Sequence, residues 1–339
     1  MTTELIIPRA ERALIIKLRG IGDVVLSTPV IDNLAAAYPG IRIDYLCERF
    51  AAPAVEGLPN IRSVIAFDRK RESGMELVRK VRAARYDLVI DLFGNPRTAL
   101  VTRLSGARHR AGFPFRGRAY AYNHLVTPRG SEVHNVEFNL DVIRALGIPV
   151  ASVRPSFPLV DGAVAAAAEW LTAQGLDGRE LIGVNPSGGW SAKRWRLEHF
   201  AELTRLLRDR RGASVLLFWG PGELEDVTTV NERSGSGAHI LPRTTVKEMG
   251  AFIARCSYFI SNDAGPMHMA AALGVPSLGI YGPTNPRLQG PFGPGNAWVR
   301  NEEVDCLECN LLDCPIGHPC MTDLTPERVF SAFERMTHQ

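Results

Sequence analysis

The chain has 339 residues and contains no apolar run close to the roughly 18 residues that a membrane-spanning helix needs. Its start carries only the short patch Leu5-Ile6-Ile7-Pro8 before charges begin, which argues against a secretory signal. No low-complexity segment and no long internal period is present, which excludes solenoids and propellers. Cysteine is sparse outside one late cluster. Cys47 and Cys256 stand in apolar strand contexts and read as core, and a disulfide framework is not expected of a cytosolic chain. The composition, 45% hydrophobic and 22% charged, excludes a disordered protein. These absences leave a cytoplasmic globular protein, too long for one small core, with two α/β domains as the expectation.

The small net charge of +3 conceals an asymmetry. Residues 1–150 hold 22 Lys and Arg against 15 Asp and Glu, whereas residues 151–339 hold 17 against 21. A basic half beside an acidic half points to an anionic partner for the first half. Nucleic acid is disfavoured because no recognised nucleic-acid motif accompanies the charge. A phosphorylated small molecule or an anionic lipid surface fits it.

Short apolar strands alternate with helical patterns from Ala13 onward. The spacing predicts strands at Ala13–Lys17, Ile41–Leu46, Ser63–Phe67 and Leu88–Leu92, with helices at Val24–Tyr38 and Met75–Ala84. The pattern loosens after Val101 into an Arg- and aromatic-rich stretch, Arg108 to His124, before a helix near Val136–Leu146. Pro149, Pro155 and Pro158 mark a linker. A second series follows with strands at Leu181–Asn185, Ser214–Trp219, Tyr258–Ile260 and Ser277–Tyr281. Such alternation predicts parallel sheets wrapped by helices, hence two Rossmann-like domains facing a central cleft. The expected boundaries are 1–155 and 156–325, with a final helix in 326–339 packing back on the first domain.

Four motifs fall at strand ends, where parallel sheets place ligands. In Lys17-Leu18-Arg19-Gly20-Ile21-Gly22-Asp23-Val24-Val25, two glycines resemble the start of a dinucleotide fingerprint, but Val25 holds the third position. Asp23 opens a helix, either as a capping carboxylate or as a carboxylate exposed at the sheet's carboxyl face. In Asn185-Pro186-Ser187-Gly188-Gly189-Trp190-Ser191-Ala192-Lys193-Arg194-Trp195, flexible glycines, a hydroxyl and two adjacent cations suit a diphosphate clamp. Trp219-Gly220-Pro221-Gly222-Glu223 offers Glu223 as an acceptor for a ribose or base. Ser261-Asn262-Asp263-Ala264-Gly265-Pro266-Met267-His268 leads from an apolar strand into an Ala-rich helix, with Asp263 as its expected N-cap. Free N–H groups and the helix dipole make that start an anion site. Separately, Cys306, Cys309, Cys314 and Cys320 crowd together in a spacing that is not a standard zinc ribbon, so either a metal site or a structural knot is expected.

Together, Lys-x-x-x-x-Gly-Asp near the N-terminus, Ser-Asn-Asp-x-Gly-Pro-Met-His and Gly-Pro-Thr-x-Pro at 282–286 resemble the ADP-heptose:lipopolysaccharide heptosyltransferases. These form glycosyltransferase family nine, with the GT-B fold. The likeness runs from Leu14 to about Phe330, and the Cys306–Cys320 block looks like a feature of many members. It implies Asp23 as general base, Lys193 as the phosphate-contacting lysine and Asp263 as the acid holding the heptose hydroxyls. It further implies that Ala264, Gly265, Pro266, Met267 and His268 form the turn around the donor phosphates, with Ser187, Gly188 and Glu223 completing the donor site. Ser187-Gly188-Gly189 stands where some members carry a Thr pair, which puts the hydroxyl contacts there in question. On the acceptor side the resemblance implies phosphorylated lipopolysaccharide inner core of the Kdo-lipid A type, and the basic first half offers Gly22, Arg116 and Arg118 to meet it at the cytoplasmic face of the inner membrane.

The chemistry agrees with that likeness. A sugar hydroxyl is a poor nucleophile that a carboxylate activates by taking its proton. The leaving ADP gains negative charge that a lysine and a helix N-terminus stabilise, so no cofactor is expected for catalysis. Rival readings are a GT-B transferase with another nucleotide sugar or acceptor, and a two-domain sugar-nucleotide isomerase. An NAD-dependent oxidoreductase is disfavoured by the incomplete glycine fingerprint. A non-enzymatic binding protein is disfavoured by polar motifs gathered at strand ends.

Overall fold

A computed structural model describes residues 6–338. Leu5, the first residue of the early apolar patch, lies outside the described residues. The chain divides into two units, Met1–Pro158 and Leu159–Gln339.

The first unit runs β1 (Arg12–Ile16), α1 (Ile21–Ser27), α2 (Pro29–Ala37), β2 (Arg42–Glu48), β3 (Ile61–Phe67), α3 (Gly74–Ala83), β4 (Leu88–Asp91), α4 (Pro96–Leu104), β5 (His109–Gly112), β6 (His124–Leu125) and α5 (Asn135–Ala145). Its strands are all parallel, in the order β3-β2-β1-β4-β5-β6. Residues 13–16 of β1 are fully buried, as expected of a central strand covered on both faces. The expected helix Val24–Tyr38 is two helices broken at Thr28. Pro29 has no N–H to continue the first, but its fixed φ suits the first position of a new one. The loosened stretch after Val101 holds more order than its pattern shows. It contains the two short strands β5 and β6, joined across the 3-10 segment Phe115–Ala121. The helix α4 before it was also not expected; a capping box between Asn95 and Thr98 starts it.

The second unit runs α6 (Asp161–Ala173), β7 (Leu181–Asn185), α7 (Leu197–Arg211), β8 (Ser214–Leu217), α8 (Leu224–Arg233), β9 (His239–Ile240), α9 (Val246–Ile253), β10 (Tyr258–Asn262), α10 (Gly265–Ala272), β11 (Ser277–Tyr281), α11 (Pro286–Gln289), β12 (Ala297–Arg300), α12 (Pro319–Thr322) and α13 (Pro326–Thr337). Its sheet, again parallel, is ordered β12-β11-β10-β7-β8-β9. Numbered within its own unit, this is the same order as in the first. Each sheet therefore reverses direction between its first and fourth strands. The crevice at that reversal, beyond the strands' carboxyl ends, is where open α/β sheets bind ligands.

Two expectations about the boundaries change. The proline-rich segment belongs to the first unit as far as Pro158 rather than ending at residue 155. There the Ser156 N–H donates to Thr28 Oγ1 at 2.8 Å, the Ala151 N–H donates to Asn33 Oδ1 at 2.6 Å, and Phe157 is buried. The final helix was expected to pack back on the first domain. Its apolar face, Val329, Phe330, Phe333 and Met336, is instead buried in the core of the second unit with residues of α7, β7 and β11. Phe333 meets Tyr258 edge-on, with ring centroids 5.3 Å apart.

Candidate active site

In the second unit the loop after β7 and the turn after β10 flank the sheet reversal, and buried hydrogen bonds stitch them together. Asn185 Nδ2 donates to Ser261 Oγ at 3.0 Å. Asn262, fully buried, does more. Its Nδ2 donates to the carbonyls of Pro186 and Ser187 at 2.8 and 3.3 Å, and its Oδ1 accepts from the Trp195 N–H at 3.1 Å. One side chain thus pins both ends of the 186–195 loop, leaving its middle to shape a site.

That middle carries Lys193, on the 3-10 turn Ser191–Lys193. Its Nζ lies 2.6 Å from Asp263 Oδ2, and the two side chains are 13% and 7% exposed. The same ammonium sits 4.4 Å from the centre of the Trp190 ring, a cation–π contact. Asp263 is not the N-cap of α10. That position is held by Ala264, and no side chain caps the helix. The reason is competition: Asp263 Oδ2 accepts from Lys193 and also from Thr284 Oγ1 at 2.7 Å. In the first turn of α10 Pro266 has no N–H and the Met267 N–H donates to Ala264 O at 3.2 Å, which leaves the Gly265 N–H at the helix start, with Met267 and His268 buried. Ser187 is buried, and its Oγ has no hydrogen-bond partner among the described residues. A buried hydroxyl without a partner suits a ligand oxygen.

Arg194 and Glu223, both expected near the donor, are paired with each other. Arg194, the second cation of the loop, donates through Nε to the Gly188 carbonyl at 2.7 Å and pairs with Glu223 and Asp226 at 3.3 Å each. Glu223 accepts from the Gly220 N–H at 2.8 Å as well as from Arg194, so its carboxylate braces its own turn and the loop. Lys193 is the cation of this loop aimed at Asp263.

In the first unit the sheet reversal lies between β1 and β4. Asp23 is in the first turn of α1. Gly20, the N-cap, has φ +79°, and a Cβ there would lie 2.5 Å from Asp23 Oδ2, so glycine is required for the carboxylate to fold over the turn. Gly22 is buried in the same turn. Lys17, next to it, is half-buried, its Nζ donating to Leu92 O at 3.3 Å and Asn139 Oδ1 at 3.4 Å. Burial lowers the Lys17 pKa, and the nearby carboxylates of Asp23 and Asp91 act against that shift. Asp91, also buried, accepts from the N–H groups of Phe93 and Gly94 and from the Tyr122 hydroxyl. The Gly94 carbonyl in turn accepts from Arg118 Nε at 2.6 Å. Arg116 is exposed at φ +47°, a conformation rare outside glycine.

The sequence reading missed a second basic feature of this unit. A cavity of about 450 Å³ is lined by Arg19, Arg49, Arg69 and Lys70, with Glu48, Asp68, Phe50 and Phe67; Arg19 pairs with Glu48 at 3.2 Å and Arg49 with Asp68 at 3.5 Å, so its net positive charge rests on Arg69 and Lys70. These cations follow the carboxyl ends of β1, β2 and β3, so the charge excess of the first half combined with strand-end position was the available signal. Phe50 is 53% exposed, which makes the cavity amphipathic.

The four late cysteines are free thiols. Among the described residues, no three His, Cys, Asp or Glu side chains gather as a metal ligand set. Cys320 is buried while Cys309 is exposed. The Cys320 thiol is pushed up to about 11 by burial first and by the other three cysteines next. The segment is tied as a strap to the loops after β7 and β11. The Leu312 carbonyl accepts from Ala192 N and Ser191 Oγ, Asp313 accepts from Ser191 Oγ, and the Glu308 and Asn310 N–H groups donate to the carbonyls of Gly282 and Pro283.

Among the described residues no helix is long and apolar enough to cross a membrane. Residues 75–318 match the family model described as glycosyltransferase family 9 (heptosyltransferase). Over 78% of this chain and 81% of the relative, the sequence is 30% identical to lipopolysaccharide heptosyltransferase 3 of Escherichia coli. The glycosyl transferase of family 9 from Veillonella parvula has a similar structure, with a TM-score of 0.85 and 26% identity over 96% of this chain and 97% of that one. The E. coli heptosyltransferase WaaC, solved with ADP-2-deoxy-2-fluoro heptose, superposes with a TM-score of 0.72 and 26% identity, covering 96% of this chain and 99% of that one. Two parallel six-stranded sheets, polar loops at each reversal, and these likenesses agree: the chain belongs to glycosyltransferase family 9 and is a glycosyltransferase of the GT-B type.

Proposed function

We propose that the chain transfers heptose from ADP-heptose to the inner core of lipopolysaccharide, with inversion at the anomeric carbon. The observation that carries this reading is the Lys193–Asp263 pair beside the start of α10, at the reversal point of the second sheet. An ammonium has three donors, so one bond to Asp263 leaves two for phosphate oxygens. The Gly265 N–H and the dipole of α10 add partial positive charge to the same place. Asp263 offers the sugar a carboxylate acceptor, and Ser187 Oγ a hydroxyl.

In the reaction, Asp23 takes the proton of the acceptor hydroxyl as its oxygen bonds to the anomeric carbon. The bond from that carbon to the β-phosphate oxygen breaks, and ADP leaves with the electron pair. Lys193 and the α10 start stabilise the charge that develops on it. The acceptor is an anionic lipid-linked sugar at the cytoplasmic face of the inner membrane. Its charge matches Arg69 and Lys70, the cations of the first-unit cavity left over after Arg19 pairs with Glu48 and Arg49 with Asp68, and the Arg116–Arg118 segment, and Phe50 supplies an apolar contact.

The test is ADP release from ADP-heptose, with and without lipopolysaccharide from a heptose-deficient strain, recording the acceptor's mass. Acceptor-dependent release with a gain of one heptose is expected. Activity only on a singly heptosylated core would move the acceptor one sugar outward, and failure on both would sink the donor assignment.

A further inference from the structure

We propose that Thr284 is a positioning residue for the reaction: its hydroxyl fixes the Asp263 carboxylate so that one oxygen stays presented to the donor sugar. This role rests on reading Asp263 as the acid that takes the sugar. Both side chains that hold Asp263 do so through Oδ2, Lys193 at 2.6 Å and Thr284 at 2.7 Å, so Oδ1 is the oxygen available to a ligand.

The two partners are not equivalent. Lys193 is a flexible cation whose charge the diphosphate also demands, so donor binding draws it away from Asp263 or divides it between the two. Thr284 carries no charge for a phosphate to attract, is β-branched and therefore stiff, and is only 1% exposed. Its turn is also fastened from behind. The Asn310 N–H donates to Pro283 O at 2.8 Å, and Asn285 Nδ2 donates to Glu308 Oε2 at 2.7 Å. A Cβ on Gly282 would lie 2.7 Å from Met321 Sδ and 2.8 Å from Cys320 Sγ, so the turn backs directly onto the strap. When Lys193 engages phosphate, Thr284 is the partner that keeps Asp263 in place.

The experiment compares wild type, Thr284→Val and Thr284→Ser for kcat and KM with ADP-heptose and for the Kd of ADP, which lacks the sugar. Valine keeps the shape and removes the hydroxyl. Losing a hydrogen bond to a charged group should lower kcat/KM for ADP-heptose about tenfold or more, leave the Kd of ADP within about twofold, and be largely restored by serine. In an Asp263→Asn background, Thr284→Val should add little, because its effect passes through Asp263. Melting temperatures check folding, and Thr284→Ala replaces valine should valine unfold the protein. An unchanged kcat/KM in the valine variant, equal weakening of ADP and ADP-heptose, or no rescue by serine would each overturn the role. Wild-type protein that neither binds nor turns over ADP-heptose would overturn the donor reading, and this role with it.

Discussion

The two units share one strand order and differ in how their functional ends are built. In the second, polar side chains from β7, β10 and the turn after β11 are tied to one another. Asn185 meets Ser261, Asn262 meets both ends of the β7 loop, and Lys193 and Thr284 converge on Asp263. In the first, the anchoring is internal, through Lys17 and Asp91, while the basic groups around it are exposed and mostly face solvent. The difference matches the ligands proposed for each. A nucleotide sugar has one fixed shape that rewards a rigid, prepaired site. A lipid-linked phosphorylated oligosaccharide is held by charge over a wider surface, where steering matters more than fixed geometry.

The largest effects should separate the two ends by kinetics. Asp23→Asn is expected to lower kcat by a factor of about 10² to 10⁴ while the donor Kd stays unchanged. Lys193→Met should lower kcat by about 10² to 10³ and also weaken ADP binding, because its charge meets the diphosphate before and after transfer. Loss of donor affinity in Asp23→Asn would break the contrast, as would an unchanged ADP affinity in Lys193→Met. Next come the basic surfaces. Arg69→Glu with Lys70→Glu should raise the acceptor KM about tenfold at low salt, less at high salt, and leave the ADP-heptose KM alone. The same measurement on Arg116→Glu with Arg118→Glu tells which surface the acceptor uses.

The smallest expected effect concerns stability. His109 Nδ1 and His124 Nε2 lie 3.0 Å apart in the first unit, and both pKa values are lowered from 6.5, by burial first. The unfolded chain therefore binds protons at higher pH than the folded unit, and stability falls as pH drops below about 6.5. His199 and His239 of the second unit shift the same way, so the pair's share is isolated by His124→Asn. That variant should flatten the acid side of a Tm-against-pH curve by a few degrees, at about 2–4 °C per kcal/mol for units of this size. An unaltered curve would show that the pair contributes nothing.

The strands of both sheets were legible because parallel strands buried on both faces read as apolar runs, as in Leu14-Ile15-Ile16 and Phe259-Ile260. The outer strands β5, β6 and β12 were not, because they are short and carry no apolar run, β12 with all four residues half-buried. Motif position at strand ends placed these residues in loops at the sheet reversal, but did not reveal their partners. Asp263 looked like a helix cap by its neighbours in sequence, yet its carboxylate answers to Lys193 and Thr284, which local pattern does not reach. Likewise the pairing of Arg194 with Glu223 joins two motifs that lie far apart in sequence. The cavity of Arg19, Arg49, Arg69 and Lys70 is assembled from three loops, and only the charge excess hinted at it.

The placement of α13 has a consequence for how the protein is made. Phe330, Phe333 and Met336 fill the same core as Val184, Phe200 and Ile260, so that core lacks a wall until the ribosome has passed residue 336. The first unit has all its strands once residue 125 has emerged, and domains generally fold in order as they leave the ribosome. The nascent second unit therefore waits with apolar surface open for most of its synthesis, and a chaperone that shields it has its longest opportunity there.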